Sequence, residues 1–400
     1  MKKGTRIGAL LVLSTGVLAL SACGNKGGNN DKPAKDLKVG LITLHSHDES
    51  TYDKNFYDSM MAAQKKLGFD LVVRLADEDE SCYNTAKALA DDGCDIIMAD
   101  SFGHEDYMIQ AAREYPDVQF CHATGTQAAG VKLANFHDAF AAIYEGRYLA
   151  GVVAGQKMAE DIAAGKYTAE QAKIGYVGAH PYAEVVSGYT SFFLGARSVV
   201  PTVTMDVTYT NSWYDYSAEE AAATSLINSG AKLISQHADS YGAPKACETK
   251  GVPNVAYNGA TDDEAPNTYL VSSKIDWAPY FEHIVNCVLE DKAIETDFVG
   301  TLADGSVKLT KFGKNVSAEA KSKVAAAEAA LKAGTLHVFD CSKFTVGGAA
   351  PTEENVKPGP FTYTDYPAGT EFLKDGYYHE SEYRSAPSFD VRIDGITELA

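Results

Sequence analysis

The chain has 400 residues, 45% hydrophobic and 22% charged, which is a globular composition rather than a disordered or fibrous one. Lys and Arg total 35 against 54 Asp and Glu, a formal charge of -19. So acidic a chain repels phosphate backbones, which excludes a broad nucleic-acid interface, and its length exceeds what one core usually supports, so two domains are expected.

In chain order, the first feature is a basic start (Lys2, Lys3, Arg6) followed by a mostly apolar run over residues 7–20. That run is short for a membrane-spanning helix and has the layout of a secretion signal. It leads into Leu20-Ser21-Ala22-Cys23 and a Gly/Asn-rich stretch. Small residues before a Cys resemble the bacterial lipobox. The expectation is a signal peptide over residues 1–22, lipidation at Cys23, and a flexible tether over residues 23–36. The protein would then sit on the extracytoplasmic face of the cell membrane, held by its lipid anchor. The other cysteines, Cys82, Cys94, Cys121, Cys247, Cys287 and Cys341, have no CxxC spacing and no His at zinc-finger spacing. Outside the membrane they could pair, but Cys94 and Cys121 lie in apolar runs that equally suit buried free thiols.

From residue 38 onward, strand-like and helix-like segments alternate. Residues 38–43, 71–75, 95–99 and 118–121 read as strands, and residues 53–67, 81–91 and 104–114 as helices. The pattern then restarts. A long Ala/Gly-rich helix is expected over residues 138–160. Strands follow at 174–178, 203–209, 233–235 and 255–257, with helices at 184–199, 218–229, 242–250, 280–289 and 317–333. Alternation of this kind means βαβ units, parallel sheets and helices on both faces. The restart implies an α/β chain of two doubly wound lobes, with a hinge and a cleft between them. We expect one lobe from residues 37–137 plus about 265–335. The other would come from 138–264 plus part of 336–400, with hinges near 125–138, 260–272 and 335–342. The Gly-, Pro- and Tyr-rich tail after residue 344 is expected to wrap on the body as loops and short strands.

No GxSxG elbow, HExxH, Walker A or paired-carboxylate motif occurs in a convincing context, so neither an enzyme nor a cofactor is indicated. His45, His47, Asp48 and Glu49 come nearest to a metal cluster, but they read better as polar residues of a cleft loop. The stronger signal is positional. In open α/β sheets ligands bind beyond the carboxyl ends of the strands, and aromatic and acidic residues collect there. The candidate contacts are Glu49, Tyr52, Phe56, Ser101, Phe102, Tyr182, Trp213, Asp215, His237 and Asp239. Aromatic faces with carboxylates suit a flat heteroaromatic ligand, clamped by stacking and read through its N–H donors. Asp239 has two roles open to it: accepting such donors, or capping the helix that begins near Gly242.

Several stretches carry a family resemblance: Ala99-Asp100-Ser101-Phe102-Gly103, residues 115–125, Tyr144-Glu145-Gly146-Arg147-Tyr148-Leu149-Ala150-Gly151, residues 193–201, Thr210-Asn211-Ser212-Trp213-Tyr214-Asp215 and Gln236-His237-Ala238-Asp239-Ser240. Asp276-Trp277 and Pro279-Tyr280 complete the series. In order, from about residue 38 to about 290, they resemble the basic membrane protein (BMP, Med-like) family of ABC-transporter substrate-binding lipoproteins. The resemblance implies a type I periplasmic-binding-protein fold, capture of a purine base or nucleoside, and an ABC permease as partner. It also implies that a first-loop aromatic and the tryptophan of the Asn-Ser-Trp-Tyr-Asp motif sandwich the purine. By position Tyr52 stands where that branch usually has tryptophan, and Glu49 where it usually has aspartate. Gly146 and Gly151 are expected to serve helix packing, and Gly195 and Pro201 to shape a helix and its exit. The other classes to weigh are a lipoprotein that senses its ligand for a membrane receptor, a carrier of another small solute such as a sugar, and a secreted enzyme acting on nucleosides.

Overall fold

The computed structural model describes residues 36–358, 366 and 369–399; the signal segment and Cys23 lie outside the described residues. The first elements are β1 (Lys38–Thr43), α1 (Thr51–Leu67), β2 (Asp70–Leu75), α2 (Glu80–Asp91), β3 (Ile96–Ala99), α3 (Glu105–Glu114), β4 (Gln119–Ala123), α4 (Ala128–Val131) and β5 (Phe136–Ala141). They are followed by α5 (Ile143–Ala163), β6 (Lys173–Gly178), α6 (Ala183–Arg197), β7 (Thr204–Tyr209), α7 (Tyr216–Asn228), β8 (Leu233–Gln236), α8 (Gly242–Lys250), β9 (Asn254–Tyr257) and β10 (Tyr269–Ile275). The chain continues through α9 (Ala278–Leu289), β11 (Asp297–Gly300), β12 (Val307–Leu309), α10 (Ala318–Lys332), β13 (Leu373–Lys374), β14 (Tyr377–Tyr378) and β15 (Ile396–Glu398).

Two sheets organise these elements. The first has the order β2-β1-β3-β4-β5-β11 and is parallel throughout. The second has the order β12-β10-β9-β8-β6-β7-β15, parallel except where β12 runs against β10. Central strands such as β3, β5 and β9 are buried along their whole length. Helices cover both faces, and such strands carry continuous apolar runs in place of alternation. Helix ends follow local chemistry. Ser50 caps α1 by accepting from the Asp53 N–H, and α1 stops at Gly68 in the left-handed region. Between α5 and α6 the backbones touch: a Cβ on Gly151 would lie 2.0 Å from the Phe192 carbonyl oxygen, and one on Gly195 2.1 Å from that of Tyr148. Only glycine admits that approach.

Two expectations need correction. Residues 136–141 form the buried strand β5, and helix α5 begins only at Ile143. The segment Phe-His-Asp-Ala-Phe-Ala is flanked by β4 and β11 and buried on both faces, so it shows no alternation to mark it as a strand. Residues 269–275 join the second sheet as β10, not the first lobe, because β10 pairs with its sequence neighbour β9. The chain therefore crosses between the sheets after β5, after β10, and between β11 and β12. The tail has an ordered role at the sheet edges. β15 pairs in parallel with β7, Ser385 N–H donates to Asp297 Oδ2 of β11 at 2.7 Å, and Arg197 donates to the Asp394 carbonyl at 3.2 Å. It thus reaches the edge of each sheet. Cys82, Cys94, Cys121, Cys247, Cys287 and Cys341 are all free thiols, and all but Cys341 are buried.

Candidate ligand-binding cleft

The first lobe's face of the cleft is built where β1, β3 and β4 end. The loop after β1 folds back on α1: His45 N–H donates to Asp53 Oδ1 at 2.8 Å, and His45 Nδ1 lies 3.5 Å from Asp53 Oδ2. Burial alone would raise Asp53, but its bonds with His45 and Ser50 outweigh that and hold the carboxyl below the usual carboxylate range. The same hydrogen bond with Asp53 raises His45. Tyr52, the second residue of α1, donates its hydroxyl to the Asp100 carbonyl at 2.7 Å. The Asp100 side chain is fully buried, accepts from Leu44 N–H at 3.2 Å, and is pushed well above the carboxylate range by burial and by nearby Asp53. Thr124, just past β4, has a φ of 65°, a left-handed backbone that a β-branched residue rarely adopts.

The second lobe's face comes from the ends of β6, β7, β8 and β9. Trp213 lies in the loop after β7, its ring 5.1 Å from His180 and 6.3 Å from His237 between centroids. Glu184 stands in the first turn of α6, with Oε1 3.3 Å from His237 Nε2. Asp239 N–H donates to the Trp213 carbonyl at 2.9 Å, and its Oδ1 accepts from Asn258 at 3.1 Å. Burial, then the charges of Glu219 and Asp53, push Asp239 well above the carboxylate range. The helix near Gly242 does without it: Gly242 N–H donates to Ser240 Oγ at 3.1 Å.

The two faces meet. Thr51 donates both its N–H (3.0 Å) and its hydroxyl (3.1 Å) to the Asp239 carbonyl, so the N-terminus of α1 docks on the second lobe. His45 lies 5.1 Å from Tyr214, and Phe102 6.2 Å from Tyr182, ring to ring. Between them is a pocket of about 460 Å3 including its mouth, lined by Leu44, His45, Tyr52, Asp53, Ser101, Phe102, Thr124, Glu184, Trp213, His237, Asp239 and Tyr257.

Of the residues expected from sequence, Tyr52, Ser101, Phe102, Trp213, His237 and Asp239 come together on this pocket. Tyr182 is 47% exposed and stands at its rim, stacked on His180. Glu49 is exposed on the loop before α1 and does not line it. Phe56 is fully buried and stacks on Trp277 at 4.3 Å, so it belongs to the core; one turn of α1 carries it past the cleft. Asp215 caps α7, accepting from Ala218 N–H at 2.9 Å, and points its carboxylate at the helix rather than a ligand. Sequence reasoning missed Asp53, Glu184, Thr124 and Tyr257. Glu184 and Tyr257 do follow or end strands, so the strand-end rule could have found them, whereas Asp53 is reached only through the fold-back of His45.

Nothing in the pocket groups three metal-ligating atoms. Among the described residues such a grouping occurs at Glu105, His122 and Asp138, all buried behind the pocket. There Glu105 Oε1 accepts from the N–H groups of Thr126 and Gln127, both at 2.7 Å, and Asp138 Oδ2 from Ala128 N–H at 2.8 Å. The carboxylates thus pin the 124–128 loop, and His122 donates Nε2–H to the Ser101 carbonyl at 2.7 Å. His47 stacks on Tyr57 at 4.0 Å.

Comparison with known proteins agrees with this architecture. Residues 37–333 match the Bmp family, described as ABC transporter substrate-binding protein, PnrA-like. A purine-binding protein of Brucella abortus is 32% identical over 314 residues, covering 76% of this chain and 83% of that protein. A provisionally named ABC transporter glucose-binding protein of Haloferax volcanii is 34% identical over 250 residues, covering 62% of this chain and 60% of that protein. Among solved structures, a solute-binding protein of an ABC transporter system from Conexibacter woesei has the same fold, with a TM-score of 0.61 at 20% identity, covering 75% of this chain and 98% of that one. No helix among the described residues is long and apolar enough to cross a membrane. A substrate-binding protein of this kind works with a small solute and a permease. The two-lobed α/β architecture, the cleft at the strand ends and the match over residues 37–333 together place the chain in the Bmp family of PnrA-like ABC-transporter substrate-binding proteins.

Proposed function

We propose that this protein captures a purine base or nucleoside between its lobes and delivers it to an ABC importer from a lipid anchor at Cys23. The observation that carries the proposal is the composition of the pocket. Trp213 and Tyr52 come from opposite lobes and supply flat apolar faces, while Asp53, Glu184 and Asp239 surround them with carboxyl groups. A purine offers the complement: a planar ring to stack and edge N–H groups to donate. The relation to the Brucella abortus purine-binding protein supports the same ligand class.

Transport follows from differential affinity. A ligand that touches both faces favours the state in which the lobes meet, and the contacts of Thr51 with Asp239 and of Phe102 with Tyr182 belong to that state. The anchor would keep the protein near its permease and raise its effective concentration there. The decisive measurement is calorimetric titration of the full chain, held in mild detergent, with adenine, hypoxanthine, inosine, adenosine and glucose. Binding of a purine in preference to glucose is expected. Glucose is the second reading, motivated by the glucose-binding relative in Haloferax volcanii; binding of glucose alone would replace the purine assignment. Anchoring is tested separately: Cys23→Ser should abolish partition of the processed protein into detergent phase, and unchanged partition would refute lipidation.

A further inference from the structure

The second lobe holds a buried cation that does not line the pocket. Arg147, near the start of α5, is 1% exposed. Its Nη1 donates to the Gln236 carbonyl at 2.9 Å, its Nη2 lies 2.9 Å from His237 Nδ1, and its guanidinium carbon sits 3.3 Å from the centre of the Tyr257 ring. A guanidinium has only donors, so His237 Nδ1 must accept. The imidazole proton is therefore on Nε2, which faces Glu184 Oε1 at 3.3 Å. The result is a chain of cation, neutral imidazole and carboxylate, with Arg147 meeting Glu184 only through the ring between them. Gly188 leaves room for that ring: a Cβ there would lie 2.8 Å from His237 Nδ1. His237 and Glu184 line the pocket, whereas Arg147 stands behind them.

We propose that Arg147 is a positioning residue for ligand binding, fixing His237 as the neutral Nε2–H tautomer and so aiming Glu184 into the pocket as an acceptor for a ligand N–H. The bond from His237 occupies Oε1 of Glu184 and leaves Oε2 for the ligand. A doubly protonated His237 would turn a donor toward the guanidinium, and the two cations would repel. Burial and then the Arg147 charge accordingly bring His237 down to about 4. The remaining groups that face the ring do not supply a competing charge at neutral pH. The Tyr176 hydroxyl lies 3.5 Å from Nδ1, and the Tyr257 ring is 4.8 Å from the imidazole between centroids. Burial pushes Tyr176 up to about 12, and Tyr257 higher still. Asp239, two residues along the loop, is itself held well above the carboxylate range by burial. The proposal rests on the purine assignment only in supposing that the ligand presents an N–H.

The test begins without ligand. In the full chain labelled with nitrogen-15 histidine, His237 should show the Nε2–H tautomer and should not titrate above about pH 5, whereas an unperturbed imidazole titrates near 6.5. Arg147→Gln should move its midpoint up by about one to two pH units. With adenine and with inosine as probes, the affinity of Arg147→Gln relative to wild type should fall roughly three- to tenfold between about pH 7.5 and 5.5. Arg147→Lys, which keeps the charge but loses the planar fork, should hold His237 low while weakening binding. A wild-type His237 that titrates near 6.5, or that carries its proton on Nδ1, overturns the proposal whether or not any variant folds. So does an Arg147→Gln variant with an unaltered His237 midpoint. Failure of both probes to bind, with the expected tautomer in place, would instead count against the purine assignment.

Discussion

The two faces of the cleft use the same residue types, a histidine and an aspartate, and set them in opposite states. On the first lobe, Asp53 is held low and His45 is held high, because each stabilises the other's charge. On the second lobe, Asp239 is pushed well above its ordinary range and His237 down to about 4. The difference lies in where the partners come from. His45 and Asp53 are eight positions apart and fold onto one another locally. His237 is governed by burial and by Arg147, 90 positions away, and Asp239 by burial and by Glu219. The first pair is biased toward its charged forms and the second toward its neutral ones. A chemical class of side chain therefore does not fix its protonation state; the neighbourhood that the fold assembles does.

The comparison can be broken most forcefully at the stacking residue. Trp213→Ala should weaken purine binding roughly ten- to a hundredfold, the range for loss of one base–aromatic stack. Ligand should also quench fluorescence in the wild type and not in Trp213→Phe. Trp277, buried 4.3 Å from Phe56, supplies the unquenched reference signal. Quenching that survives in Trp213→Phe would remove the indole from the site.

The asymmetry of the two aspartates is next. Asp53→Asn removes an ionised group and the charge that His45 pairs with. A loss of about 1.5–3 kcal/mol in stability is expected, together with a clear drop in affinity. Asp239→Asn replaces a carboxyl whose proton affinity is raised by burial with a near isostere whose oxygen can still accept from Asn258. Melting temperature should barely move, and affinity should change by less than about threefold. Paired melting and calorimetric measurements decide; a larger penalty at Asp239 would mean that it binds as a carboxylate.

A pH experiment sharpens the histidine half. His237 has its folded value depressed below the unfolded one, so its stabilising contribution is complete above about 6.5 and is lost as pH falls toward its folded value. At about pH 5 the cost is on the order of 2 kcal/mol. His237→Gln lacks this term, so the wild type's advantage in melting temperature should shrink between about pH 7 and 5. His45 and Asp53 work in the other direction over part of the same range. The raised histidine stabilises below about 6.5 and fades as pH climbs through its folded value, while the lowered aspartate stabilises above about 3.9 and fades as pH falls through its own. Replacing His45 with Asn should therefore cost more at about pH 5.5 than at about pH 8. The smallest effects belong to the rim. Phe102→Ala or Tyr182→Ala should alter the dissociation constant by less than about threefold and act mainly on release rate; stopped-flow dissociation would show it.

Much of the architecture was legible because it is written in short-range pattern. Runs such as residues 38–43 and 174–178 are apolar and rich in β-branched residues, as buried strands are, and the first two helices begin at identifiable caps, Ser50 and Asp79. The site was half legible. Tyr52, Trp213, His237 and Asp239 could be found because strand ends in a parallel sheet converge on one edge. Phe56 and Asp215 have the right residue type near the right strand end, but helical rotation sends one into the core and the other to a cap.

By itself, then, the sequence determined the alternation of strands and helices, the two-lobed plan and the aromatic and acidic character of the cleft, because each depends on residues within a turn or a strand of one another. The tertiary structure alone decided that residues 269–275 pair with the second sheet, that the tail docks on β7 and β11, and that Arg147 stands behind His237. It also decided which carboxyl groups are charged. Strand partnership and proton affinity are set by groups brought together from distant parts of the chain, through hydrogen bonding, burial and Coulomb interaction, and no local pattern encodes those distances.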